Sequence, residues 1–273
     1  MSVTRLSGDA ARFEAVLDAG RARERSVLVR ISFVALAVLA AFYFTGLFDA
    51  QRLAEGVPAI AQIMSEMVPP DFTRWRAWTR PLLDTLAMSI AGTAIAVALS
   101  LPIAVFAARN TAPGAAAYRV ARFLLNVLRA IPELIMGIVL VAAVGFGALP
   151  GVLALGLHSI GMIGKFFAES IEHADPRAIE AARAAGAGDF QVIARAVLPQ
   201  TLPQMADTAI YRWEYNFRAS TVMGAVGAGG IGTELMGSLR LMDYPQVLAI
   251  LLCILACVIV VDAFGGRLRR ALA

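Results

Sequence analysis

The 273-residue chain is 59% hydrophobic and only 16% charged, with a mean hydropathy of +0.72, which excludes an ordinary water-soluble domain. Its apolar residues gather in blocks of about 17 to 25, the length that crosses roughly 30 Å of hydrocarbon. The net charge of +4 comes almost wholly from arginine, with Lys165 the single lysine, and the positives gather in connecting segments, a pattern of membrane orientation rather than of nucleic-acid binding.

The first 30 residues hold six arginines and four acids. That is too long and too mixed for the charged start of a secretory signal, so the first span is expected to be retained. Six spans are expected in all, giving an all-α polytopic membrane fold. The first covers about 31–48 and the second about 86–107. Between them, the segment 49–85, with Phe72, Trp75 and Trp78 among charges, suits an amphipathic helix at the outer surface, as an anchor or as a dock for a partner. The third span, about 120–146, contains Pro132, which predicts a kink or a two-piece helix. The fourth follows the turn at 147–150 and runs to about 167. The fifth, about 205–226, is polar for a membrane helix, whereas the sixth, about 247–264, reads as apolar throughout. Cys253 and Cys257 lie four apart within it, a spacing that suits packing rather than a metal site or a redox pair.

Arginine asymmetry sets the orientation. The N-terminal arm, the connector with Arg109, Arg119 and Arg122, the connector with Arg177, Arg183 and Arg195, and the tail with Arg267, Arg269 and Arg270 fall on one side. That side is expected to be cytoplasmic, with both termini inside. Arg52, Arg74, Arg76 and Arg80 go against the rule, which long loops follow weakly. The chain is expected to divide into an arm (1–30), the first span with its outer segment (31–80), a bundle core (81–268) and a tail (269–273).

Ionisable residues at membrane depth are costly and face the bundle interior or a watery path. Glu214 and Arg218 are four apart and can pair on one helix face, Arg212 and Asn216 share a neighbouring face, and Arg129 with Glu133 repeat the pattern beside Pro132. Such groups read either as ion pairs that lock helices together or as the lining of a path. Arg212 and Lys165 have no obvious in-register partner. His158 and His173 read as hydrogen-bonded packing groups, and no metal site is assigned.

The connector 170–204 is the most informative stretch. Ile179, Ala182, Gly186, Phe190, Ile193 and Val197 recur at helical spacing, which predicts short amphipathic helices with one apolar face. Gly186 and Gly188 permit a tight turn, while Pro199 and Pro203 are expected to stop the second helix before the fifth span. By periodicity alone this is equally a surface helix on the headgroups. Glu180, Ala181, Ala182 and Gly186, followed by Leu198 and Pro199, match the Glu-Ala-Ala, three residues, Gly, then Leu-Pro signature of permeases in ATP-binding-cassette importers. Ala196 stands where that family prefers isoleucine. The run Arg129 to Ile135 (RAIPELI), the ordered His158, Gly161, Lys165, Glu169 and Glu172, and the run Tyr211 to Gly232 (YRWEYNFRASTVMGAVGAGGIG) resemble the phosphonate importer group in particular, over roughly residues 80–268. Methionine-type permeases share the glycine-rich ending.

The resemblance implies a type I ABC importer permease fold in the bacterial inner membrane. It implies that residues 178–199 form the coupling helix, with Glu180 near a helix start where it can cap amides or meet a basic partner group. The implied partners are a second copy of the chain, two ATPase subunits that bind the ATP and magnesium, a periplasmic binding protein and lipid. The implied cargo is a phosphonate, phosphite or related phosphorus oxyanion, with methionine or another small solute as the alternative. For such an anion, Arg129, Lys165, Arg212 and Arg218 are expected to line the path, with Glu133, Glu214 and Asn216 beside them. Gly227, Gly229 and Gly232 fit a dinucleotide-binding pattern, but no strand precedes them. With Gly224 and Gly230 they are instead expected to make a sharp external turn, by resemblance a re-entrant region at the outer gate. Gly164 and Lys165 do not complete a phosphate-binding loop, because Ser159 and Phe166 stand at its other key positions. A multispanning enzyme is disfavoured: there is no His-Glu-x-x-His, no Gly-x-Ser-x-Gly and no Asp pair within a span, so no catalytic residue and no cofactor are assigned to this chain.

Overall fold

The computed structural model describes residues 3–272, and among them every regular element is a helix. The chain divides into two compact units, with the boundary in sequence between Ser65 and Glu66. The first holds α1, Val3–Phe44, and most of α2, Ala50–Glu66. The stretch Arg23–Phe44 of α1 is long and apolar enough to cross a membrane and has no buried residue.

In the second unit the helices are α3 (Trp75–Ala107), α4 (Ala115–Ala130), α5 (Glu133–Val144) and α6 (Ala148–Glu172). They are followed by α7 (Pro176–Ala184), α8 (Asp189–Val192), α9 (Leu198–Met223), α10 (Ile231–Arg240) and α11 (Tyr244–Leu272). The core is built around α3 and α6, which pack along faces of small residues. A Cβ placed on Gly92 would lie 3.1 Å from the Leu155 Cβ, and Ala96, Ala104, Ala154 and Ala168 are fully buried. Small residues let apolar helices approach closely where lipid offers no hydrophobic drive to association.

Pro132 breaks the expected third span. It has no N–H to donate and holds Ile131 in an extended conformation, φ −86° and ψ 120°, so α4 and α5 meet at 85°. The segment 75–85 is not a surface helix: it is the first part of α3. Trp78 is 1% exposed, packed with Ile231, Ala249 and Ile250, and Phe72 stands edge-on to it at 6.4 Å. Burying that indole draws the start of α3 into the bundle.

Among the described residues four helices are long and apolar enough to cross a membrane, α3, α6, α11 and the apolar part of α1, or five if α4 and α5 count as one bent span. The expected six are therefore not all recognisable by length and composition. The missing one, α9, is long enough at 26 residues but carries Asp207, Arg212, Glu214 and Arg218. The sixth expected span is not apolar throughout either, since Asp262 lies within α11.

Pro199 and Pro203 do not stop the helix of the connector. From α8 the chain passes through a π-helical turn, Ile193–Val197, directly into α9. The Leu198 N–H reaches back five residues to the Ile193 carbonyl, which leaves Pro199 in the first turn of α9, where its missing donor costs nothing. Thr201 Oγ1 serves the carbonyls of Val197 and Leu198 at 3.2 Å each. The rod from Asp189 to Met223 is unbroken and on the order of 50 Å long at 1.5 Å per residue.

Candidate functional site

A buried polar chain crosses the centre of the bundle from α9 to α3. Arg212 is 6% exposed; its Nε donates to Ser159 Oγ of α6 at 3.0 Å, and its guanidinium lies 4.1 Å from the centre of the Tyr215 ring. Ser159 donates in turn to Asn216 Oδ1 at 3.0 Å, and Asn216 Nδ2 donates to Thr93 Oγ1 of α3 at 2.8 Å. Thr93 completes the chain by donating to the Ser89 carbonyl at 2.7 Å. Arg212 and Asn216 thus share a face, as their spacing predicts, and Arg212 has partners that only the tertiary fold supplies.

The expected pair of Glu214 with Arg218 does not form. Glu214, 5% exposed, meets Arg269 of α11 at 3.0 Å, and Arg218 meets Asp262 of α11 at 3.0 Å. Both pairs join α9 to α11 rather than closing on one helix. Gly265 makes room for the first, since a Cβ there would collide with Glu214 Oε1. The second is nearly half exposed, at 44% and 45%.

Arg129 and Glu133 also fail to pair, because the 85° bend at Pro132 separates them. Arg129 Nε turns to Asn126 Oδ1 at 3.1 Å. Glu133, in the first turn of α5 where the helix dipole favours a carboxylate, accepts from Tyr215 OH at 2.7 Å and faces His158 Nε2 at 3.4 Å. The Ile131 carbonyl accepts from His158 Nδ1 at 3.0 Å, so His158 spans the bend, hydrogen-bonded on one side and facing Glu133 on the other. Lys165, thought to lack an in-register partner, has one in Glu169 at 3.5 Å. Of the four expected path cations, only Arg218 borders the cavity of about 380 Å³ formed with Glu133, Leu134, Tyr215, Ala219, Val222 and Met223.

The connector folds as a helical hairpin. Asp175 caps α7 by accepting from the Arg177 N–H at 2.9 Å, and the Arg177 side chain and amide together hold its carboxyl below the usual aspartate range. Glu180 is therefore not a cap: it lies past the first turn, exposed and without an ion pair among the described residues. Gly186 ends α7 with φ +84°; its N–H bonds the Arg183 carbonyl and the Ala187 N–H the Ala182 carbonyl. This is a Schellman closure, and the left-handed residue in it favours glycine. Ile179, Ala182, Val192, Val197 and Leu198 pack into the core, but Phe190 is 81% exposed and breaks the predicted apolar face. Gln200 ties the arms together, accepting from the Asp175 N–H at 2.9 Å and donating to the Ala196 carbonyl.

At the other end of α9, residues Gly224–Val226 make one 3-10 turn, and Gly227, Gly229 and Gly230 carry the chain to α10 with φ of +90°, +78° and +75°. Gly224 and Gly232 touch backbone to backbone: a Cβ on Gly232 would collide with the Thr221 carbonyl oxygen. Thr85 Oγ1 accepts the free Ile231 N–H of α10 at 2.8 Å.

Sequence reasoning missed Ser159, Thr93, Tyr215, Asp262, Arg269, Asp175 and Gln200. Asp262 carried a readable signal, an acid inside an apolar run, and so did Asp175, an N-cap residue directly before a proline.

Helices long and apolar enough to cross a membrane, a polar helix whose charges pair with its neighbour and a capped hairpin leading into it are features that suit a membrane transport subunit. Residues 100–273 match the model of the binding-protein-dependent transport system inner membrane component, and the chain belongs to that family. It is 66% identical over 243 residues to the phosphite transport system permease protein PtxC of Stutzerimonas stutzeri, covering 89% of this chain and 88% of the relative. It is 40% identical over 225 residues to the phosphate-import permease protein PhnE of Mycolicibacterium smegmatis, covering 82% of this chain and 42% of the relative. The fold is shared with an inward-facing MetNI methionine ABC transporter chain, at a TM-score of 0.64 and 23% identity over 72% of this chain and 96% of that one. The chain is a permease subunit and not an enzyme.

Proposed function

We propose that the chain imports phosphite or a closely related phosphorus oxyanion, receiving it from an external binding protein and releasing it to the cytoplasm by alternating access. The close relative named for phosphite transport supports the cargo. The observation that carries the path is the half-exposed Arg218–Asp262 pair beside the Glu133–Tyr215 cavity. An exposed ion pair at membrane depth is costly against lipid and suits a watery route. On this reading α9 is the fifth span of six, shielded by a second permease copy, and an arriving anion competes with Asp262 for Arg218. Arg212 then positions Tyr215 and Ser159 rather than meeting the anion itself.

The hairpin of residues 178–199 is the handle for an ATPase that binds ATP and magnesium. Glu180 and Phe190 stand free for the partner, and Gly186 fixes the turn. Both termini are cytoplasmic, and Gly224 to Gly232 form the outer gate, at the far end of the rod that starts in the hairpin. The test is ATP hydrolysis by the reconstituted complex with binding protein loaded in turn with phosphite, methylphosphonate, phosphate or methionine. Stimulation by a phosphorus oxyanion is expected; stimulation by methionine alone would sink the assignment.

A further inference from the structure

The helix that leads into the hairpin is fastened to its neighbours by a knot of side chains with no part in the path. Glu172 lies in the last turn of α6, where the negative end of the helix dipole opposes a carboxylate. It is held there by two donors, the Arg109 N–H at 2.9 Å and Arg122 Nη2 at 2.9 Å. Arg122 belongs to α4, and its Nε donates at 2.7 Å to the carbonyl of Ala107, the last residue of α3. One guanidinium therefore ties three helices together. The Tyr118 ring lies against it at 5.5 Å and against Arg109 at 5.9 Å, while the Tyr118 hydroxyl accepts from Arg109 Nε at 3.2 Å. Asn110 Nδ2 adds a bond to the Ile171 carbonyl at 2.7 Å. Arg122 and Glu172 are only 22% and 24% exposed, so solvent competes weakly for them. The hairpin begins four residues after Glu172, at Pro176.

We propose that Arg122 and Glu172 are positioning residues that carry displacement of the hairpin into α3 and α4, beside the direct route through the π-turn into α9. The proposal rests on the reading that the hairpin is driven by an ATPase. A planar fork with two acceptors on different helices holds them with little slack, and packed bundles pass on small displacements as rigid bodies. Lysine has no such fork and cannot hold both acceptors in that geometry.

The experiment uses the full permease–ATPase complex in liposomes, with spin labels at Ala184→Cys on α7 and Val120→Cys on α4 and with Cys253 and Cys257 replaced by serine. The distance between labels is measured with and without trapped ATP, and phosphite uptake per ATP is measured with phosphite-loaded binding protein. Arg122→Lys and Glu172→Gln are expected to assemble, keep basal hydrolysis within about twofold and lose at least about fivefold in uptake per ATP. In both, the ATP-driven distance should grow relative to wild type, because α4 no longer follows α7. Arg119→Gln, which removes a neighbouring charge whose Nε, among the described residues, bonds its own helix at Ala115, should behave as wild type. A strut that serves only stability would lower complex yield and leave uptake per ATP and the distance change intact, which overturns the proposal. Wild-type uptake that proceeds without ATP hydrolysis would instead refute the ATPase-coupled reading on which it rests.

Discussion

The Thr93–Asn216–Ser159 chain can be tested by removing its partners singly and together. Asn216 is 0% exposed and makes two bonds across helices, to Thr93 and from Ser159. Asn216→Leu keeps the volume and loses both; intramembrane hydrogen bonds average about 0.6 kcal/mol and reach about 1.7, so a cost of about 1–2 kcal/mol is expected. Thr93→Val has a different cost. It strands the Asn216 amide hydrogens in a buried site, and an orphaned buried donor costs about 1–3 kcal/mol. The double variant has no stranded amide, so its cost should fall short of the sum by about 1 kcal/mol or more. Reversible unfolding in mixed micelles gives the three free energies. Additivity within about 0.5 kcal/mol, the range found for independent sites, would show that these side chains do not interact and would refute the chain as a structural link between α3 and α9.

Two further predictions follow from single residues. Gly232→Ala should lower the unfolding midpoint and uptake together, since its Cβ meets the Thr221 carbonyl oxygen and overpacking costs about 1–3 kcal/mol; Gly237→Ala, with nothing within 4 Å, should do neither. The lowered Asp175 carboxyl stabilises the start of α7 fully above the ordinary aspartate value of 3.8, and that contribution is lost as pH falls through the lowered value. Hydrogen-exchange protection of the Arg177 amide should therefore persist at pH 5 and fall towards pH 3, whereas Asp175→Ala should lack it at both; equal protection in the two proteins at pH 5 would discount the cap.

What the sequence disclosed depended on whether a feature is local. Long apolar runs, the break at Pro132 and the turn at Gly186 follow from period, missing donors and backbone freedom, and each lies where residues alone put it. The charged pairs do not. Glu214 and Arg218 satisfy the i,i+4 rule, yet each finds a partner on α11, because a helix-to-helix pair also fastens two elements and Gly265 leaves the space for it. Pro199 reads as a terminator, but one extra residue in the preceding turn absorbs it. Trp78 reads as a headgroup anchor until the α10 and α11 residues that bury it are in place.

The polarity of α9 bears on how the protein is made. Each arginine or acid at the centre of a bilayer helix opposes insertion by about 2.5–3.5 kcal/mol, so Arg212, Glu214 and Arg218 together weigh against α9 entering lipid alone. The counter-charges of Glu214 and Arg218, Arg269 and Asp262, lie on α11 and are synthesised later. If α9 is a span, it has to wait beside the insertion machinery until α11 emerges, and the two helices then enter lipid with Glu214 and Arg218 already neutralised.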